Sequence, residues 1–260
     1  MTSSQGNASD PWHRLAPDYE RARAREDSLD TLVEWPAQRE MLGSVEGLRI
    51  LDLGCGSGVK LAELVRDGAA EGIGIDLGGA FIEEPPPGLT LIQADFNDFH
   101  TLPDVVEKKF DRILFLQSFG YAQDPVGILA KARSMLTDDG FILLTRTQPL
   151  RYALERADEN GTLVGDEYFS TEMFSTVSGW NSDVTLTKQR YTMSSLLNTF
   201  AQAGLWIESA SEPHLSKEQA ERFPHKHERA FKHLVGILVF KLRTLPVEPE
   251  PVEGLIPRGA

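Results

Sequence analysis

The sequence predicts an α/β protein with a seven-stranded, mostly parallel sheet flanked by helices. Three observations carry this expectation. Apolar runs rich in β-branched residues alternate with amphipathic segments through the middle of the chain. The first run, Leu48-Arg49-Ile50-Leu51-Asp52-Leu53, passes directly into Gly54-Cys55-Gly56-Ser57-Gly58 and then a helical pattern. That is the order of a buried strand, a tight turn and a helix start. Acidic residues close the next two strands, at Asp76 and Asp95, so polar side chains collect at one end of the sheet.

Composition narrows the function classes. A chain of 260 residues with 41% hydrophobic content can bury one substantial core. It holds no apolar run long enough for a membrane span, and its first ten residues do not read as a signal peptide. The single cysteine, Cys55, excludes an intrachain disulfide framework and suits a reducing, cytoplasmic setting. Lying in the glycine loop, Cys55 reads as a small packing residue. The net charge of −13 argues against a nucleic-acid partner, which needs basic surface, and favours a small-molecule substrate.

Taken in order, residues 1–9 read as disordered, and residues 10–45 as a helical lid. Asp10-Pro11 supplies a cap followed by proline at the first helical position, and Trp12, Leu15 and Tyr19 share a face. A second helical piece spans about 29–42 and restarts near Pro36. The main domain, 46–243, opens with the strand and glycine loop; the helix after it buries Leu61, Leu64 and Val65 and stops at Gly68. Strands follow at Ala70–Leu77, Leu89–Ala94 and Phe110–Leu116, the last ending in Gln117-Ser118-Phe119-Gly120-Tyr121. Gly78-Gly79 and Pro85-Pro86-Pro87 leave room for barely two helical turns between the second and third strands. Asp124-Pro125 starts a helix expected to run to Gly140, before a fifth strand at Phe141–Thr145. Residues 148–190 have no sustained period and read as a long insertion. A helix at Thr192–Ala203, a strand at Leu205–Ala210, a capping box at Ser216 and Gln219, and an apolar strand at Leu234–Leu242 complete the domain. The proline- and glutamate-rich tail, 244–260, reads as disordered.

An acidic residue in the strand end, Asp52, leading into G-x-G-x-G, resembles the first motif of the class I, Rossmann-like S-adenosylmethionine (SAM) methyltransferases. The spacing differs from the G-x-G-x-x-G of dinucleotide sites. The resemblance implies that Asp52, Gly54, Gly56 and Gly58 wrap the amino-acid part of SAM. Asp76, with Leu77, is placed to accept the ribose hydroxyls. Asp95 and Phe96 match the residues that hold adenine, and Gln117 stands where the methyl donor meets the acceptor. Ala16-Pro17-Asp18-Tyr19 resembles the context in which a lid tyrosine reaches the cofactor, so Tyr19 is a cofactor-binding and catalytic candidate. The family's last strand is antiparallel, and its insertion carries acceptor-site residues; Tyr121, Tyr168, Phe169 and Trp180 are the candidates here.

The implied reaction converts SAM to S-adenosylhomocysteine and methylates a small molecule, in a layout that suggests secondary metabolism. The family has no invariant catalytic residue, because alignment of the acceptor with an electrophilic methyl supplies much of the rate. Two alternatives stand beside it: a SAM-binding cyclase or rearrangement catalyst, and a SAM-binding scaffold. Four histidines, His214, His225, His227 and His233, gather among basic residues between the last two strands. They read as a solvated loop, a basic edge for homodimer contacts, or a clamp for an anionic acceptor in which His225 or His227 takes a proton. No acidic or cysteine ligands at motif spacing accompany them, so no metal is expected.

Overall fold

The computed structural model describes residues 11–170, 173–226 and 236–245. Five strands, Arg49–Leu53 (β1), Glu71–Asp76 (β2), Leu89–Gln93 (β3), Phe110–Leu116 (β4) and Leu136–Thr147 (β5), run parallel. The later strands are Phe174–Val177 (β6), Thr185–Lys188 (β7), Leu205–Ser211 (β8) and Ile237–Thr244 (β9). The main sheet has the order β3-β2-β1-β4-β5-β9-β8, with β9 antiparallel to both neighbours, while β6 and β7 form a separate hairpin. The seven-stranded sheet and its antiparallel last strand are as the sequence and the resemblance implied.

Period-two alternation divides the core. From β1, Leu51 and Leu53 enter one layer with Ile73, Ile75, Phe115 and the rings of Phe96, Phe99 and Phe119. Ile50 enters the other with Leu61, Leu64, Leu114, Phe141 and Leu143. Both faces are covered by helices, which is why these strands read as near-continuous apolar runs. The helices are Pro11–Arg23 (α1), Trp35–Leu42 (α2), Val59–Arg66 (α3), Pro125–Ser134 (α4), Pro149–Asn160 (α5), Val164–Phe169 (α6), Met193–Gln202 (α7) and Lys217–Arg222 (α8). A single wide turn, Asp30–Glu34, leads into α2. The caps form as expected: the Asp124 side chain accepts from Gly127 N, and Ser216 and Gln219 make a reciprocal box.

Two expectations are corrected. Helix α4 stops at Ser134, and β5 begins at Leu136 instead of Phe141. A register shift opposite Phe110 and Arg112 lets the chain enter the sheet early, so Gly140 lies inside the strand and not at a helix end. The insertion after β5 is also regular: it holds α5, α6 and the β6–β7 hairpin.

That hairpin reaches back to the N-terminus. Leu15 of α1 is fully buried against Val184 and Leu186, with Trp12 and Tyr19 packed beside them. Asn181 Nδ2 donates to Asp18 Oδ2 at 2.9 Å, and Arg14 Nη2 to the Asp183 carbonyl at 3.0 Å. This small satellite core holds α1 over the carboxyl ends of the strands. Leu15→Ala removes the side chain at its centre and should destabilise that unit by about 2–5 kcal/mol. Hydrogen exchange should speed up in α1 and β7 while the amides of β1 and β4 keep their protection; uniform acceleration would mean that the two cores unfold as one.

Candidate functional site

Glycine is required in the loop after β1 because Gly54, Gly56 and Gly58 adopt φ of +84°, +61° and +82°. The missing side chains serve different purposes. A Cβ on Gly54 would overlap that of Ser118, whose hydroxyl donates to the Leu53 carbonyl. On Gly58 it would strike Leu91 at 2.7 Å. Only Gly56 faces the α1 layer, where its nearest neighbour would be Glu20 Oε1 at 3.2 Å. Two of the glycines therefore let the loop pack on β3 and the post-β4 turn, and the third keeps clear the space below α1. Cys55 packs against Gly74, consistent with a packing role.

The acidic residues fall where the sequence placed them. Asp76 ends β2, and its carboxylate accepts from Gly56 N and Gly78 N, both at 2.8 Å, so it also staples the glycine loop to the neighbouring strand. Leu77 beside it is exposed. Asp95 follows β3 and accepts from Asn97 N at 2.9 Å, Asn97 Nδ2 at 2.8 Å and Gln123 Nε2 at 3.4 Å. Phe96 departs from the expected ring contact with adenine: its side chain is buried in the core, edge-on to Phe115 at 6.2 Å. Asp52 is buried, and its Oδ1 has no hydrogen-bond partner among the described residues. Burial pushes its carboxyl up to about 7 against the pull of Lys60, with Asp76 pushing the same way.

A second layer of charge joins these loops to the N-terminal segment. Lys60, in the first turn of α3, donates to Asp30 Oδ1 at 2.6 Å and to Gln38 Oε1 at 3.1 Å. Gln38 Nε2 donates in turn to Thr145 Oγ1 on β5 at 3.1 Å. Asp30 also takes Arg23 Nη2 at 3.2 Å. Burial opposes the Asp30 carboxylate, but Lys60 and Arg23 outweigh it and hold its pKa below the ordinary value. Gln117 has φ +67°, unusual for a residue with a side chain, and its Nε2 donates to Glu34 at 3.3 Å. Burial raises the Glu34 pKa.

Above the post-β4 turn lies an aromatic roof. Trp12 meets Tyr19 and Tyr121 edge-on, each at 5.5 Å, and Tyr19 meets Trp180 of the β6–β7 turn at 4.8 Å. Burial pushes the Tyr19 phenol up to about 12, and Arg23 lies over its ring at 5.0 Å. Thus Tyr19, Tyr121 and Trp180 converge. Tyr168 and Phe169 do not join them: Tyr168 accepts from Met193 N at 2.8 Å beside a separate cleft, and Phe169 is exposed.

The basic segment, as far as it is described, lies at the surface. His225 Nε2 lies 3.4 Å from Asp27 Oδ2, which Lys226 also meets at 3.4 Å, and Arg222 pairs with Glu26. Acidic residues after α1 meet this segment, so His225 sits beside the Asp27 carboxylate at the surface, in keeping with the solvated-loop reading. His227 and His233 lie outside the described residues.

Residues 9–210 match a family model described as a methyltransferase domain. The chain belongs to the class I SAM-dependent methyltransferase family. Its methyl donor is SAM. Among curated proteins, an uncharacterized protein of Haemophilus influenzae is 28% identical over 139 residues, covering 51% of this chain and 55% of its own length. A tRNA U34 carboxymethyltransferase of Photobacterium profundum is 24% identical over 136 residues, 50% of this chain and 40% of that protein. The chain spans about half the length of the curated relatives it matches. A SAM-dependent methyltransferase structure from Mesorhizobium loti has a TM-score of 0.61 at 24% identity, covering 81% of this chain and 97% of that one.

The residues present suit the donor. The buried Asp52 oxygen that has no partner among the described residues, and Glu20 beside the space at Gly56, offer negative charge for an ammonium group, with Arg23, paired to Asp30 and Glu20, close by. Sequence reasoning missed Glu20 and Arg23, whose partners lie 3 to 7 positions away, and Glu34, Gln38 and Lys60, whose partners lie 22 to 107 positions away; only the apolar spacing around them hinted at packing. In Gly54→Val, the new side chain must displace Ser118 before it meets any ligand. That variant should lose S-adenosylhomocysteine binding together with several degrees of melting temperature, whereas Gly56→Ala, strained at φ +61° but meeting only the end of the Glu20 side chain, should lose affinity with a smaller fall in melting temperature. Calorimetry paired with thermal melts checks both; an undisturbed melt for Gly54→Val would remove the packing explanation.

Proposed function

We propose that this methyltransferase transfers a methyl group to a small molecule held between the strand ends and the aromatic roof. The observation that carries the reading is the roof itself. Trp12, Tyr19, Tyr121 and Trp180 come from α1, the post-β4 turn and the insertion, and pack ring against ring beside that turn. An aromatic cluster of this kind suits a compact acceptor, whereas a nucleic acid calls for an open basic groove. The net charge of −13 supports the same side. The tRNA-modifying relative resembles only half of this chain, so its substrate carries little weight here.

In this reading Asp52 and Glu20 face the ammonium of the methionine part and Arg23 its carboxylate. Asp76 uses its remaining lone pairs for the ribose hydroxyls, and Asp95 takes the adenine amino group. Bound SAM supplies an electrophilic methyl on a positive sulfur. The chain's part is to align the acceptor and exclude water. With a phenol pKa of about 12, Tyr19 stays protonated near neutral pH and serves as a hydrogen-bond donor or ring wall, not as a base. His225, at the surface beside Asp27, is given no part in this reading.

Conversion of SAM to S-adenosylhomocysteine with a methylated small acceptor is the direct test; saturable tRNA binding at low salt that weakens steeply with added salt would overturn the small-molecule assignment. Asp76→Ala removes a charged hydrogen-bonding partner from both loop and ribose. At roughly 1.5–3 kcal/mol per bond, SAM affinity should fall about a hundredfold or more.

Asp52 gives a pH signature. Its raised pKa leaves the free protein partly protonated at neutral pH, and a cationic ligand favours the ionised form. SAM should therefore bind about tenfold more weakly at pH 6 than at pH 8, with proton release on binding below pH 7. Asp52→Asn should flatten that difference relative to wild type. Parallel profiles for the two proteins would take Asp52 out of the site.

A further inference from the structure

Beyond the end of β5 lies a narrow cleft, open to solvent, between α5, α6 and the segment leading into α7. Arg146, Arg156 and Arg190 all line it, with Glu167 as its carboxylate and Tyr152 and Tyr191 among its walls. The balance of charge is positive on a strongly acidic protein. Arg190 is paired with Glu167 at 3.2 Å, and Arg156 meets Glu159 only at 3.6 Å. Arg146 has no carboxylate partner among the described residues. It is 6% exposed, its Nη1 has no hydrogen-bond partner, and its guanidinium lies over the Tyr191 ring at 4.2 Å. The Arg156 Nε is likewise buried and unpartnered.

A buried guanidinium with a free edge is unfavourable unless a counter-charge reaches it. Its planar fork matches the two oxygens of a carboxylate or phosphoryl group. We propose that this cleft is an oxyanion subsite of the acceptor pocket, so that the methyl acceptor carries a carboxylate or phosphoryl group held by Arg146. The burial that makes Arg146 costly also pulls its pKa below the ordinary arginine value, and a bound anion would reverse that pull.

The cleft is joined to the methyl-transfer end by covalent and packed connections. Arg146 follows Thr145, whose carbonyl accepts from Gln117 N at 2.9 Å. Gln189 N donates to the Gly120 carbonyl at 2.9 Å, and Tyr191 stacks on Phe119 at 5.8 Å. Burial raises the Tyr121 phenol pKa, with Tyr152 of the cleft pushing the same way. An acceptor anchored by its anionic end at Arg146 would thus present its other end beside the post-β4 turn. This rests on the reading of the strand ends as the methyl-transfer site.

The test uses the full chain saturated with S-adenosylhomocysteine, titrated calorimetrically with benzoate, phenyl phosphate and neutral benzyl alcohol. At least one anion should bind saturably, and which one binds separates carboxylate from phosphoryl acceptors. Arg146→Met should weaken that binding at least tenfold, Arg146→Lys should retain part of it, and S-adenosylhomocysteine affinity should stay within twofold in both. If Arg146→Met does not fold, Arg156→Gln at the same cleft decides, with an expected loss of threefold or more. Failure of both anions to bind wild-type protein, binding of benzyl alcohol as tight as that of the anions, or equal binding by wild type and the folded arginine variants overturns the proposal. A wild-type protein that does not bind S-adenosylhomocysteine would instead overturn the cofactor site, and the same anion titrations without it would still judge the cleft.

Discussion

Lys60 is the joint on which the site depends. It stands in the first turn of the helix that the glycine loop opens, almost wholly buried, and reaches into the N-terminal segment to meet Asp30 and Gln38. Gln38 continues the chain of contacts to Thr145 on β5, and Asp30 continues it to Arg23 on α1. One ammonium group therefore links the glycine loop, α1, α2 and the central sheet. Without Asp30 it would be a buried charge that lacks its direct ion-pair partner and keeps only the Glu34 carboxyl nearby, a larger penalty than the pair's net worth. The N-terminal segment is thus required by the domain that it covers.

The same joint places opposite charges at short range around the space below α1. Burial lifts Asp52 and Glu34 toward their neutral forms, while Asp30 keeps its charge because two cations flank it. Carboxyl groups of one residue class are thereby separated into a fixed anion that holds structure and titratable ones that can respond to a ligand. Division of that kind is expected where a cationic ligand must enter and leave a closed site.

How much of this was legible in the sequence follows from the range of each interaction. The β1 run, the three glycines and the acids after β2 and β3 are local patterns, and they lie where their spacing put them. The caps at Asp124 and Ser216 are four-residue signals and were equally readable. Helix α5 was readable too, from Gln148-Pro149 at its start and Gly161 at its end, but the long polar stretch around it hid the pattern. Phe96 illustrates a different limit. An aromatic residue next to a binding acid can face the ligand or the core, and sequence does not choose; here the ring of Phe115 completes a core contact. The contacts of Lys60 and of His225 with acidic residues join segments far apart in the chain, and only the fold brings them together.

The N-terminal layer is held from two directions by quite different forces. On the insertion side it has apolar contact, Leu15 on Val184 and Leu186, with aromatic rings beside them. On the opposite side α8 supplies polar and ionic contact, with Gln219 Nε2 donating to the Leu32 carbonyl at 2.9 Å and basic residues meeting Glu26 and Asp27. Exposed ion pairs of this sort contribute about 0–1 kcal/mol each, so the apolar side must carry most of the attachment. Its core is small beside the two layers that bury the main sheet, and small units open at lower free energy than the domain they rest on. The α1–hairpin unit is therefore expected to open at a lower free energy than the main sheet.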